Sequence, residues 1–526
     1  MMRRDYTRLD SARFDLLVCG GGIYGGWTAY DAALRGLKVA LLDQGDWAGG
    51  TSSASSKLIH GGLRYLETLD LKLIRKSLKE RQMLLRAAPH RVWPLRFGIP
   101  LYPDSRIGAL RLKAGLTLYD LLAGTRGSDQ AHRRYGRREF AARFPCLAEK
   151  KLMGGFSYAD AQTDDARFVI EIIDGAIDAG AVCLNYCKVL HYLEDQGRVY
   201  GAVVQDRTSG TEVKIHAAQV VNATGQWTEA FHKGDRLFRL SKGTHLVLPK
   251  VLDDEALLLT AKSDGRVFFI IPWYGRTLIG TTDSDYSGPV DRITVGPDEV
   301  AYLLEETNRV IGRHRWEEKD IVGAFAGLRV LRRSDKTSPS AVSRDWHMKT
   351  ADNGVMYSIG GKFTSAREDA ACMVDAVCRR LGIDAECKTN GRNFPWKPER
   401  TYPAWFETNL NHACQLGIDA ESALWLLRRH GNRVTDIFRL IENNRALARR
   451  IVKGVPIIQA DLAYCARNEM VVHLEDLLRR RIPLLILAKL TPTELRGVAE
   501  RVAGTLQWDE GRLKSEVDAC AGTCLT

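Results

Sequence analysis

Residues 14–43 constrain the fold of this chain more than any other stretch. Phe14-Asp-Leu-Leu-Val-Cys19 is a short, mostly apolar run bounded by polar residues and glycines, the pattern of a buried strand. Gly20-Gly-Gly-Ile-Tyr-Gly25 follows, with G-x-G-x-x-G at Gly20, Gly22 and Gly25. The next residues predict a helix to about Leu34, and its small side chains Ala29, Ala32 and Ala33 permit close packing on a sheet. Arg35-Gly36 ends the helix, and Lys38-Val-Ala-Leu-Leu-Asp43 reads as a second strand closing on an acid that can bind ribose hydroxyls. A glycine triplet alone is a weak signal. Strand, helix, strand and terminal acid together specify a dinucleotide site.

The following stretch, Thr51-Ser-Ser-Ala-Ser-Ser-Lys-Leu-Ile-His-Gly-Gly-Leu-Arg-Tyr-Leu-Glu67, suits neither a buried strand nor an ordinary amphipathic helix. The hydroxyls of Thr51, Ser52, Ser53 and Ser56, with Lys57 and the backbone N–H groups, can cradle a pyrophosphate. The Gly61-Gly62 pair lets the backbone pass close to a flat ring, and Arg64 and Tyr65 can reach an anion beyond it. Two later segments return to the same kind of site. Gln219-Val-Val-Asn-Ala-Thr-Gly225 is a strand ending at Thr224-Gly225, and Met356-Tyr-Ser-Ile-Gly-Gly-Lys-Phe-Thr364 is a strand, the pair Gly360-Gly361 and a helix start at Thr364. A nicotinamide enzyme would follow its first unit with more strand–helix units. Scattered returns suit FAD, lying extended and held at both ends. No Cys or His sits in an obvious flavin-attachment motif, so the FAD is expected to be non-covalent.

The organisation predicted is α/β plus α. A discontinuous, Rossmann-like FAD-binding domain takes residues 12–70, 150–230 and 345–390. An antiparallel-sheet substrate domain takes 71–149 and 231–344, with β-branched and aromatic runs at 245–249, 266–272 and 277–283 roofing the flavin. Past Pro395 strand signals stop, and 398–526 reads as a C-terminal helical cap.

Eleven cysteines show no C-x-x-C pair, so no zinc ribbon or iron–sulfur ligand set is visible and no metal is expected. They read as reduced thiols of a cytoplasmic protein, with Cys520 and Cys524 in a frayed tail. Residues 1–13 are charged and carry no secretory apolar run, and no run is long enough to span a bilayer. The net charge of +12 calls for an anionic partner and concentrates in residues 71–86 and 106–138, where Leu and Ile interleave with Arg and Lys. Such segments suit interfacial helices on an anionic membrane surface, or ordinary helices with a solvated basic face. Nucleic acid is not expected, since no nucleic-acid-binding module is present. A homodimer is possible.

The chain resembles the FAD-dependent glycerol-3-phosphate dehydrogenases that feed electrons to quinones. The resemblance rests on the glycine unit, the 51–67 stretch, Tyr158-Ala-Asp with Asp164-Asp-Ala-Arg167, Val221-Asn-Ala-Thr-Gly225, Lys242-Gly-Thr-His245, Ile271-Pro-Trp273, Gly280-Thr-Thr-Asp283, Gly327-Leu-Arg329, Ser343-Arg-Asp345 and Gly360-Gly-Lys-Phe-Thr364. It implies oxidation of sn-glycerol 3-phosphate to dihydroxyacetone phosphate, with hydride passing from C2 to flavin N5, and a peripheral place on the cytoplasmic membrane. It places Arg64, Tyr65, His245, Arg329, Arg344 and Lys362 at the substrate. Phosphate binding falls to Arg64, Tyr65 and Arg344. Arg329 and His245 face the reacting hydroxyl, with His245 the first choice of base, and Lys362 stabilises negative charge beside the flavin. Tyr24, Gln226, Val330 and Ala366 depart from the family pattern, and Arg332 and Arg333 add charge near the substrate loop. A related phosphorylated polyol therefore stays open as substrate, and so does oxygen as acceptor. A non-catalytic membrane- or partner-binding scaffold is the reading from another class, against which the converging cations speak.

Overall fold

The computed structural model describes residues 2–9, 12–67, 70–232, 236–312, 315–332, 342 and 344–522. Arg333, Ser343 and Cys524 lie outside the described residues. Among those described, two sheets carry the architecture.

The first sheet has eight strands. Arg13–Cys19 is its centre, paired in parallel with Val39–Leu42 on one side and Glu212–Asn222 on the other. Val182–Leu184 and Met356–Gly360 extend it in parallel, and Trp346–Thr350 adds an antiparallel edge. Side chains alternate across a strand, which divides the core in two. Leu16 and Val18 face a cluster with the helices Ile23–Leu34, Asp165–Asp178 and Ala366–Leu381, whereas Leu17 and Cys19 join Val189, Ala202 and Val204 of the antiparallel strands Cys187–Asp195 and Arg198–Asp206.

The second sheet has ten strands and is antiparallel except where Glu255–Thr260 meets Val92–Leu101. It contains the expected roof strands Phe238–Pro249, Val267–Trp273 and Arg276–Gly280. Gly154–Thr163 and Leu58–Ile59, expected within the FAD-binding stretches, also lie in this sheet. The reason is that Gly154–Thr163 pairs along its whole length with Val92–Leu101 and buries Phe156 and Tyr158 in the second sheet's clusters.

Beyond Tyr402 the chain is helical to Ala521. This part is fastened to the rest through its core. Trp425 stacks on Tyr274 with ring centroids 3.8 Å apart, and Arg167 holds both oxygens of Glu469, one at 2.7 Å. Cys520 is not frayed: it is buried on the helix Glu510–Ala521.

The two basic segments behave differently. The helix Leu71–Ala87 is not free to lie on a membrane, because its apolar stripe of Leu73, Ile74, Leu78 and Leu84 is buried. Several of its polar side chains are also committed, Lys76 to Asp369, Glu80 to Arg367 and Arg81 to Asp160. The helix Ala109–Ala123 buries Leu112, Leu116 and Tyr119 but turns Leu110 (86 % exposed) and Leu121 (60 % exposed) outward. Leu116 is therefore a core residue and not part of any outer stripe. No helix among the described residues is long and apolar enough to cross a membrane.

Arg167 and Glu469 are both fully buried, so removing one partner strands the other's charge. Arg167→Ala is expected to lower unfolding stability by about 3–5 kcal/mol. Denaturant titration of the holoprotein checks this, and a change below about 1 kcal/mol would mean that the pair does not hold the helical part in place.

Candidate active site

A cleft runs between the two sheets, and the residues along it come from distant parts of the chain. At one end Gly20, Gly22, Asp43, Thr51, Ser52, Thr224 and Gly225 line it. Half-buried Asp43 is fixed by the N–H groups of Gly21 (2.6 Å) and Gly45 (2.8 Å). Ser52 Oγ accepts from Ile23 N at 2.9 Å and so covers the start of the helix Ile23–Leu34, whose free N–H groups favour anions. Gly25 does not line the cleft. Its role is closeness: a Cβ there would stand 1.7 Å from the Gly20 carbonyl oxygen.

Two of the residues expected to cradle a pyrophosphate, Lys57 and Ser53, do not line the cleft. Lys57, at φ +59°, is buried, with Nζ donating to Asp165 at 2.6 Å and to the Ser53 carbonyl at 2.7 Å. Its ammonium lies over the rings of Trp273 and Phe325. A buried Asp165 needs a cation, and Lys57 meets that need. Ser53 likewise contributes its carbonyl to Lys57 and does not line the cleft. Ser56 does line it, with Oγ 2.8 Å from His245 Nε2.

At the other end Gly360, Gly361, Thr364 and Lys362 close the cleft, and Thr364 Oγ1 accepts from His60 N at 3.2 Å. Tyr24 secures this turn across the cleft, its hydroxyl 2.9 Å from Asp369 and 3.3 Å from the Lys362 carbonyl oxygen. Glycine turns, an acid and hydroxyls along one cleft fit an extended dinucleotide such as FAD, which Gly20, Gly22, Asp43, Thr51, Ser52, Gly360, Gly361 and Thr364 would hold.

All six substrate residues expected from sequence meet here: Arg64, Tyr65, His245, Arg329, Arg344 and Lys362. Arg64 and Tyr65 ride on the 3-10 turn Leu63–Leu66. Arg329 and His245 lie on the paired strands Gly323–Arg332 and Phe238–Pro249. Between them Gly243 makes room, since a Cβ there would come within 2.2–2.6 Å of the Arg329 guanidinium. Arg329 donates to Thr281 Oγ1 (2.7 Å), to the Thr282 carbonyl (3.2 Å) and to Asp283 (3.3 Å). Lys362 Nζ donates to Ser77 Oγ at 3.0 Å and lies over the Tyr65 ring.

Arg64 Nη2, Arg344 Nε and His245 Nδ1 are buried atoms that find no hydrogen-bond partner among the described residues. Buried polar atoms are seldom left so, and the two guanidinium N–H groups among them, on residues that line one cleft, mark where a ligand's oxygens belong. The electrostatics agree. Burial and then Arg329 and Lys57 push the His245 imidazole well below its ordinary range, keeping it neutral. Burial and then Arg344 also pull Arg329 down. Burial opposes ionisation of Tyr65, but Arg344, Lys362 and Arg64 outweigh it and bring the phenol to about 8.

His60 and Asp283 stand in the sequence motifs without an assigned role, and Ser77 stands in none. His60 also lines the cleft, neutral through burial and the charges of Lys362, Arg64, Arg344 and Arg81. The Gly280-Thr-Thr-Asp283 motif was visible, but spacing alone could not say that its side chains grip Arg329. A buried group of metal-ligand types, His430, Cys465 and Glu469, lies elsewhere. Arg167 already holds both Glu469 oxygens there, and Asp461 sits 2.7 Å from His430 Nε2.

The model of the FAD-dependent oxidoreductase family matches residues 15–367, and that of the C-terminal domain of alpha-glycerophosphate oxidase matches 401–513. The glycerol-3-phosphate dehydrogenase of Synechocystis sp. is 34 % identical over 542 aligned positions, covering 98 % of this chain and 97 % of that protein. The aerobic glycerol-3-phosphate dehydrogenase of Bacillus subtilis is 31 % identical, covering 96 % and 94 %. The structure of the glycerol-3-phosphate dehydrogenase from Bacillus halodurans complexed with FAD superposes with a TM-score of 0.80 at 27 % identity, over 98 % of this chain and 95 % of that one. L-alpha-glycerophosphate oxidase from Mycoplasma pneumoniae, at 18 % identity and a TM-score of 0.57 over 73 % of this chain, shares the fold. Near end-to-end likeness to dehydrogenases, joined to a cleft shaped for an extended dinucleotide, means that FAD is the cofactor and that the chain belongs to the glycerol-3-phosphate dehydrogenase family of FAD-dependent oxidoreductases.

Proposed function

We propose that this protein oxidises sn-glycerol 3-phosphate to dihydroxyacetone phosphate and passes the electrons to a quinone at a membrane surface. The observation that carries the substrate reading is the pair of buried, unpartnered N–H groups, Arg64 Nη2 and Arg344 Nε, beside Lys362 and Arg329. Guanidinium groups bind phosphate oxygens bidentately, so Arg64 and Arg344, helped by the Tyr65 hydroxyl, hold the phosphate and fix the far carbon. FAD supplies the acceptor for the C2 hydrogen, which leaves with its electron pair. His245 takes the hydroxyl proton on Nδ1 when Nε2 carries the ring N–H toward Ser56 Oγ, and burial with Arg329 and Lys57 keeps the imidazole neutral. Arg329 and Lys362 stabilise the negative charge that the C2 oxygen gains before it becomes a ketone. His60, a second neutral imidazole on the wall, is the alternative base.

The quinone reading draws on the outer face of the helix Ala109–Ala123. Leu110, Ala114, Leu118 and Leu121 recur at helical spacing there, with Lys113 and Arg126 around them. An apolar stripe with a basic rim suits the headgroup boundary of an anionic bilayer. The inner face of the same helix packs on the turn that carries Arg64 and Tyr65, so the cleft would sit close to that bilayer.

Arg344→Ala is expected to raise KM for glycerol 3-phosphate, because truncating a buried charged partner costs on the order of 2–5 kcal/mol. Steady-state kinetics check this, and free glycerol serving the wild type as well as its phosphate would refute the phosphate clamp. The Tyr65 phenol is neutral below pH about 8 and anionic above it, where it would repel the phosphate. kcat/KM should therefore fall above that pH, and Tyr65→Phe should abolish the alkaline limb. A limb unchanged in that variant would clear Tyr65 of the role. Sedimentation with anionic liposomes should weaken in high salt and when Leu110 and Leu121 are replaced by Ser. Binding indifferent to both changes would remove this face from the membrane.

A further inference from the structure

Asp283 stands directly behind the cationic wall. It is buried, at 5 % exposure, and one oxygen accepts from the Ser241 hydroxyl and, at 3.3 Å, from Arg329 Nη1. Its other oxygen accepts from Arg344 Nη2, also at 3.3 Å. The backbone at this point is anchored too, since the Asp283 carbonyl accepts from Arg266 at 2.6 Å. Strand pairing explains the meeting. Ser241 lies opposite Arg329 on neighbouring strands, and Ser284, the residue after Asp283, pairs with Lys242. One short turn, residues 281–283, thus offers Arg329 three acceptors and Arg344 one.

The charges make this arrangement consequential. Three guanidinium groups and an ammonium converge on the cleft and repel each other in a medium that screens them poorly. Burial works against a charged Asp283, but Arg344, Arg329, Ser241 and Arg64 hold its carboxyl below the usual range, so it is ionised. The contacts at 3.3 Å are longer than the roughly 2.7–2.9 Å of a strong charge-assisted bond. The two arginines are therefore steered without being saturated, and Arg344 Nε remains open to a ligand.

We propose that Asp283 is the positioning residue of this clamp: from behind the wall it aims Arg329 and Arg344 into the cleft and offsets part of their charge until a dianionic substrate arrives. The inference rests on the cleft taking a phosphorylated alcohol. Arg329 would then reach the reacting oxygen correctly aligned only while Asp283 holds it, whereas the phosphate would feel chiefly the net positive charge. Removing the carboxylate should accordingly harm turnover and spare anion binding.

The test is Asp283→Asn in the FAD-loaded protein, which keeps size and one acceptor oxygen but drops the charge. kcat with glycerol 3-phosphate is expected to fall about 10- to 100-fold, the scale of a misplaced catalytic group. Inorganic phosphate, followed by its perturbation of the flavin absorbance, should bind as tightly as in the wild type or more tightly. The alkaline limb of kcat/KM should move to lower pH, because the Tyr65 phenolate then faces an extra uncompensated cation. An unchanged kcat would overturn the proposal. So would a parallel loss of turnover and phosphate binding with the limb unmoved, the pattern of a merely structural residue. If the variant loses its FAD on purification, Ser241→Ala decides. It removes only the hydroxyl on Asp283 and should give the same signs at about 2- to 5-fold, and no change there would also overturn the proposal. Should the wild type fail to oxidise glycerol 3-phosphate, the substrate reading falls, while phosphate binding in the variants still reports on Asp283.

Discussion

Several like charges held around one cleft are the constraint on which the rest of this structure depends. Arg64, Arg329, Arg344 and Lys362 would each be more comfortable in water, and burial pulls the basicity of Arg64, Arg329 and Lys362 down. Such a cluster persists only where its members are held by rigid elements and partly answered by acceptors. Two paired strands carry Arg329 and His245, a 3-10 turn carries Arg64 and Tyr65, and the end of a strand of the other sheet leads into Lys362. The acceptors are Thr281, Thr282, Asp283 and Ser77. Because Arg64 sits on a turn, Arg329 on a strand of the second sheet and Lys362 just past a strand of the first, neither sheet could build the site alone.

The same logic of buried charge fastens the helical C-terminal part. Asp46, just past the second strand of the nucleotide-binding unit, is held by Arg480 at 2.5 Å and also by Arg481. Arg167, on the helix that packs beside the glycine turn helix, is held by Glu469. Replacing such pairs by apolar residues can be neutral, but removing one member is not. These contacts fix the helical part against the elements that carry the nucleotide-binding unit.

The nucleotide-binding unit was legible because its requirements are local. A parallel buried strand, a glycine turn and a terminal acid leave marks at fixed spacing, and Arg13–Cys19, the turn and Asp43 stand as the spacing implies. The meeting of Arg64, Tyr65, His245, Arg329, Arg344 and Lys362 in one cleft was legible through family motifs, since nothing in the spacing of Arg64, His245 and Arg344 says that they converge. Orientation was not legible. Lys57 and Ser53 belong to the same run as Ser52 and Ser56, yet the positive φ at Lys57 and the buried carboxylate of Asp165 turn Lys57 inward. The two basic helices also look alike in sequence. Only tertiary packing reveals that Leu73, Ile74 and Leu78 are core and that Leu110 and Leu121 are not. That Gly154–Thr163 pairs in the second sheet was not legible for a related reason, because its partner strand lies more than fifty residues earlier in the chain.

Anaerobic rapid mixing of the FAD-loaded protein with glycerol 3-phosphate addresses the central claim most directly. The flavin absorbance should bleach with the phosphorylated substrate and stay unchanged with free glycerol at the same concentration. Adding a soluble quinone to the bleached protein should then restore the colour faster than adding oxygen. Bleaching by glycerol alone, or no bleaching by its phosphate, would contradict the reading of the cationic clamp. Faster return of colour with oxygen would place the protein among oxidases.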